Sequence, residues 1–163
     1  MGDTLLVEDP ELFASTNLWE VSFEAVEGAR PLLETLHGNY RLAVVTNTVT
    51  MHEHHAWLAL NKASLGEFID AVVTSIDVGA AKPDGKIYLE ALRKLDAKPS
   101  EAVMIGNRLK TDIFGAKRLG MKTIYLKWND RYDETPRGTE EEPDYTVHKL
   151  DEVRSVLQEI RRL

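Results

Sequence analysis

Two short apolar runs, each closed by a small or polar residue, constrain the fold of this chain more than any other feature. They are Leu42-Ala43-Val44-Val45, followed by Thr46, and Ala102-Val103-Met104-Ile105, followed by Gly106 and Asn107. A strand that is apolar at consecutive positions has both faces buried, which is the habit of parallel sheets covered by helices. Ala71-Val72-Val73, Thr123-Ile124-Tyr125-Leu126 and Tyr145-Thr146-Val147 read as further strands. Helical spacing lies between them. Ala29 to Leu36 puts Leu32, Leu33 and Leu36 on one face and stops at Gly38-Asn39; Ile87 to Leu95, Thr111 to Leu119 and Leu150 to Ile160 follow. Alternating strands and helices predict parallel βαβ units with right-handed crossovers, hence a doubly wound, Rossmann-like α/β sheet with helices on both faces. Leu5-Leu6-Val7 is apolar but too short to be read as a strand.

Composition narrows the classes. The 163 residues suit one domain, and with no cysteine neither a disulfide framework nor a Cys-ligated metal site can form. A net charge of -7 is the wrong sign for an electrostatic nucleic-acid binder. No apolar stretch reaches the roughly 20 residues of a membrane span, and the N-terminus lacks a basic region followed by an apolar one. The expectation is a single cytoplasmic domain over 1–163, with no nucleic-acid or membrane partner. Residues 129–144, rich in Asp, Glu, Gly and Pro, read as a long acidic loop.

In an open α/β sheet, ligands lie beyond the carboxyl ends of the strands. Thr46-Asn47-Thr48 follow one strand, and Gly106-Asn107-Arg108 follow another, with Asp112 a few residues on; Lys82 precedes Pro83 and a helix. A hydroxyl, helix-start amides, a cation and a carboxylate on one rim describe an anion-plus-metal site suited to a phosphate. Singly, each has a plain alternative: Thr46 as a helix cap, Lys82 as a solvated lysine, Asp112 as a first-turn acid. Their coincidence at three strand ends favours the site.

These residues resemble the haloacid dehalogenase-like (HAD) hydrolase superfamily. Its second motif is similar to Val44-Val45-Thr46-Asn47, its third to Ala81-Lys82-Pro83-Asp84, and its fourth to Met104-Ile105-Gly106-Asn107 with Asp112, then Gly115-Ala116 and Gly120-Met121. The resemblance implies a magnesium-dependent phosphatase working through an aspartyl-phosphate. In it Thr46, Asn47 and Lys82 bind phosphate, Lys82 and Thr46 serve catalysis, and Asn107, Asp112 and Gly2 hold the metal. A small phosphorylated molecule is the implied substrate.

Two departures accompany the match. The family's first motif, a strand ending Asp-x-Asp-Gly-Thr, does not occur; Met1-Gly2-Asp3-Thr4-Leu5-Leu6 resembles only the downstream half of a variant. On that alignment the first strand and its nucleophilic aspartate lie outside the chain, and the expectation is an inactive enzyme. Asn107 stands where the family usually has a metal-binding Asp, which predicts a weaker magnesium site. Residues 8–28 are too few for a helical cap, so Pro10 to Phe23, with Phe13 and Trp19, is expected to pack over the domain edge. An open site suits a macromolecular phosphate or a cap from a second subunit in a homo-oligomer. His52, His54 and His55 read as a solvated helix face rather than a metal site, and Trp57 and Leu58 as core-facing. A haloacid dehalogenase, and a non-catalytic module binding phosphate or a protein, stand as alternative functions.

Overall fold

The computed structural model describes residues 4–7, 21–129, 131 and 135–162. In chain order the main elements are α1 (Ala29–Leu36), β1 (Ala43–Thr46), α2 (Glu53–Lys62), β2 (Ala71–Thr74), α3 (Ser75–Val78), α4 (Gly85–Lys94), β3 (Val103–Gly106), α5 (Phe114–Arg118), β4 (Lys122–Leu126), β5 (Tyr145–Val147) and α6 (Val153–Ile160). All strand pairing between these elements is parallel. The α/β class and every strand read from sequence are therefore present, with ends displaced by a residue. The Thr111–Leu119 helix begins instead as a π-helical turn, Leu109–Ile113, before α5. The short α3, capped by the Thr74 hydroxyl, lies between Val73 and Lys82.

One expectation is corrected. The strands were predicted to share a single sheet, but they form two hydrogen-bonded groups, β1-β2 and β3-β4-β5. Among the described residues no strand lies between β1 and β3. Burial records the consequence. β2 is buried at all four positions and β4 at four of five, whereas Ala43 and Val45 of β1 and Val103, Met104 and Ile105 of β3 are only half-buried. The most apolar strands of the sequence are thus not the best covered.

Two apolar layers sandwich the strands. Leu32, Leu33 and Leu36 of α1 join Val44, Val72, Ile124 and Leu157 in the main core, while Ile87, Tyr88 and Ala91 of α4 pack with Val73 and Ala116 on the opposite face. Leu6 is fully buried and bridges antiparallel to Ala25, with Val7 N donating to Glu24 O (2.9 Å) and Val26 N to Leu5 O (2.9 Å). Val21 and Phe23 are buried in the same core, and Trp57 and Leu58 pack against it as expected. Of the edge segment at 8–28, residues 8–20, with Phe13 and Trp19, lie outside the described residues; so do Gly2 and parts of the 129–144 loop. Among the described residues no helix is long and apolar enough to cross a membrane.

Gly115 allows α5 to approach α4 closely, because a Cβ there would overlap the Tyr88 ring and hydroxyl. That hydroxyl donates to Thr111 O at the π-helical turn. Burial raises the Tyr88 phenol well above its ordinary pKa, with the Asp112 carboxylate adding to the rise, so it remains a neutral donor. Gly115→Ala should overpack this contact and cost about 1–3 kcal/mol. Urea unfolding of the two proteins measures it, and an unchanged midpoint would show that the helices separate freely.

Candidate functional site

The site is built on a buried ion pair at the carboxyl ends of β1 and β3. Lys82 Nζ donates to Asp112 Oδ1 at 2.7 Å and to the Val45 carbonyl of β1 at 2.9 Å. Asp112 Oδ2 accepts from Arg108 N at 3.1 Å, just beyond the end of β3. Lys82 is 9% exposed and Asp112 3%. The solvated-lysine alternative is therefore excluded, and Asp112 answers a cation rather than only a helix terminus. Gly106 is required beside it, since a Cβ at that position would overlap the Asp112 carboxyl group.

Asn47 holds Lys82 from the main chain. Its Nδ2 donates to Lys82 O (3.0 Å) and its Oδ1 accepts from Lys82 N (2.7 Å). Thr46, 6% exposed, closes β1 next to Val45, and its hydroxyl lies 3.5 Å from Asn47 O. It does not cap α2, whose N-cap is His52. Ser75 fixes the loop after β1: Thr48 N donates to Ser75 Oγ (2.8 Å), which donates to Thr48 O (3.0 Å). Thr46, Asn47, Lys82 and Asp112 are thus brought to one rim, as the spacing predicted.

Asn107 joins them from the other side. Its Oδ1 accepts from Thr4 Oγ1 at 3.2 Å, while its Nδ2 is buried with no hydrogen-bond partner among the described residues. A cation such as magnesium takes hard oxygen donors, commonly one or two carboxylates completed by water and phosphate. Asn107 Oδ1 and the Asp112 carboxylate supply one neutral and one anionic oxygen donor within a buried, polar rim. That donor set fits such an ion, with one carboxylate fewer than two. Gly2, expected to contribute, lies outside the described residues.

The histidines do not form part of this rim. His52 Nδ1 and Asp77 Oδ1 are 2.7 Å apart, and His54 Nε2 and His55 Nε2 are 3.0 Å apart. Among the described residues no group of three or more His, Cys, Asp or Glu is placed to hold a metal ion. Burial, then the neighbouring His54 and His52, hold the His55 pKa below its ordinary value.

Asp77 is a positioning residue that sequence reasoning missed; only its place three residues after Thr74 hints at a cap. It accepts from Thr74 Oγ1 (2.6 Å) and from Glu53 N (2.7 Å), tying the start of α2 to the end of β2.

The sequence matches the family model for haloacid dehalogenase-like hydrolases over residues 2–120. The chain belongs to this family. It is 33% identical over 131 residues to a glyceraldehyde 3-phosphate phosphatase of Methanopyrus kandleri, covering 80% of this chain and 55% of that protein. The chain thus spans about half the length of the curated relatives it matches. A HAD phosphatase from Thermococcus onnurineus superposes with a TM-score of 0.71 at 32% identity, over 83% of this chain and 59% of that one. A protein from Listeria monocytogenes serotype 4b, 24% identical, shares the fold with a TM-score of 0.87 over 100% of this chain and 96% of its own.

Two outcomes follow from this geometry. Lys82→Met should destabilise the protein by about 3–5 kcal/mol, because it leaves Asp112 buried and unpaired. The double variant Lys82→Met/Asp112→Leu should recover much of that loss, read as urea midpoints; equal losses in both would mean the pair is not coupled.

The second concerns acid. Hydrogen bonds from Thr74, then His52, lower Asp77 from 3.8 to about 2. Its stabilising contribution is complete above the ordinary value and is lost as pH falls from 3.8 to about 2. Asp77→Asn should therefore lower the urea midpoint at pH 7 and pH 5, and the gap should narrow by pH 3. A gap that widens in acid would reverse the assigned sign.

Proposed function

We propose that this chain carries the phosphate-binding and metal-binding half of a HAD-type phosphatase whose substrate is a small phosphate monoester. The observation that carries the reading is the buried Lys82–Asp112 pair, set between Val45 of β1 and Arg108 after β3. Lys82 would neutralise a phosphate dianion, the Thr46 hydroxyl would donate to one of its oxygens, and Asn47 would keep the lysine aimed. Electrostatic stabilisation of this kind is strongest where water is excluded, as at these buried groups. Asn107 and Asp112 would hold magnesium, which when bound screens the negative charge of the phosphate. The relative named a glyceraldehyde 3-phosphate phosphatase supports the substrate class.

Turnover needs a carboxylate nucleophile, which divides hydrolysis into two easier steps. The 163 residues contain no Asp-x-Asp sequence. That absence favours a second reading for the chain by itself: a phosphate-binding module without turnover.

Calorimetric titration with inorganic phosphate in magnesium tests the reading, paired with a p-nitrophenyl phosphate assay. The chain should bind phosphate, Lys82→Gln should weaken binding at least about tenfold, and ester hydrolysis should stay at background; loss of one charge-assisted contact has that order of effect. Absent phosphate binding would remove the site. Magnesium-dependent hydrolysis by the chain would instead overturn the reading without turnover.

A further inference from the structure

We propose that His55 makes the start of α2 an acid-sensitive latch: neutral, it fastens the first turn of α2 to the loop that follows β1, and protonated, it lets go. The latch is independent of the phosphatase reading. A common way to close a helix start sets Glu or Gln at the third helical position, where its side chain reaches back to the main-chain N–H of the N-cap residue. In α2 the N-cap is His52 and the third position is His55, whose Nδ1 accepts from His52 N at 3.1 Å. A titratable ring thus stands where a glutamine would serve. It is only half-buried, so protons reach it.

The hydrogen-bond directions fix the proton on this ring. Because Nδ1 accepts from an N–H it carries no hydrogen, and the neutral imidazole then has its proton on Nε2. Nε2 lies 3.0 Å from His54 Nε2, so His55 donates there and His54 accepts, with its own proton on Nδ1. The contact has no place for a further proton. One added to His55 goes to Nδ1 and removes the acceptor of His52 N. One added to His54 goes to Nε2 and opposes the His55 N–H. Turning that contact round, so that His54 donates, again puts a hydrogen on His55 Nδ1. One hydrogen bond is lost by every route.

The surroundings set the sign. The titratable and charged groups around this turn are His52, Glu53 and His54 of the same segment, Asp77 of α3 and, paired with Glu53, Lys94 of α4. The His54 ring centroid lies 3.8 Å from that of His55, and the amino end of a helix disfavours a cation. Burial, then His54 and His52, hold the His55 pKa below its ordinary 6.5 against the attraction of Asp77. Asp77 is itself engaged by His52 Nδ1, Glu53 N and Thr74 Oγ1. With a depressed pKa in the fold, the unfolded chain takes up the proton first. The latch therefore stabilises fully above 6.5 and is lost as pH falls below it. The opposite end of the loop is pinned separately, by Ser75 on the main chain of Thr48. Acid thus loosens the loop at His52, just past the 93% exposed Val49, and leaves Thr46–Thr48 held.

Ring and amide magnetic resonance of the intact chain between pH 8 and pH 5 tests the latch. His55 should carry its proton on Nε2 at pH 8 and titrate with a midpoint below 6.5. The His52 amide should move with that midpoint while the Thr48 amide stays fixed. His55→Gln keeps an acceptor at this position and removes the titration. From pH 7 to pH 5 the folding equilibrium constant of the unaltered chain, read by urea unfolding, should fall at least about twofold further than that of His55→Gln, within the order of one hydrogen bond. Should the variant not fold, the tautomer, the midpoint and the His52 amide of the unaltered chain still decide. A proton on Nδ1 at pH 8, a midpoint at or above 6.5, a His52 amide indifferent to the titration, or equal pH dependence of the two proteins would each overturn the proposal.

Discussion

The Lys82–Asp112 pair is the interaction on which the rest of the structure depends. It is the direct polar link between the end of β1 and the turn after β3. Strands of both sheets also share the main apolar core with α1, α2 and α6. A buried ion pair contributes little net stability over an apolar pair, since desolvation offsets attraction, but each partner becomes costly once the other is gone. The pair therefore fixes where the two sheet halves stand more than it raises the total stability. Asn47 makes that position specific by binding both the N–H and the C=O of Lys82.

The same constraint creates the site. Holding the carboxyl ends of β1 and β3 together gathers Thr46, Asn47, Asn107 and Asp112 around one cation, with backbone amides nearby. Gly106 permits the approach of Asp112, and Gly115 lets α5 settle against Tyr88 beneath it. Chemistry and packing share residues here, so substitutions at the rim alter both.

Much of this arrangement was legible in the sequence, for physical reasons. Consecutive apolar β-branched residues mark doubly covered strands, and Thr46, Lys82 and Asp112 fall at strand or helix ends, where side chains converge. Family membership followed from the same residues. The division into two sheets was not legible in the same way, because pairing is a relation between distant segments and no local pattern in Val44 or Met104 names its neighbour. Half-burial of Ala43, Val45 and Ile105 reveals it only in three dimensions. Asp77 was hidden for a related reason: its partners, Glu53 N and Thr74 Oγ1, come from different elements. The π-helical start of α5 follows from Asp112 N and Ile113 N both turning back to Arg108 O, which apolar spacing does not encode.

The central claim is that two half-sheets stand side by side, clamped at one end and, among the described residues, unpaired along the edges that face each other. Residue-resolved amide hydrogen exchange of the chain alone tests it most directly. Alternate amides of β1 and β3, those directed away from β2 and β4, should exchange orders of magnitude faster than the amides of β2 and β4. Protection of every amide in β1 and β3 equal to that in β4 would contradict the account, because it would mean that the two edges are already paired.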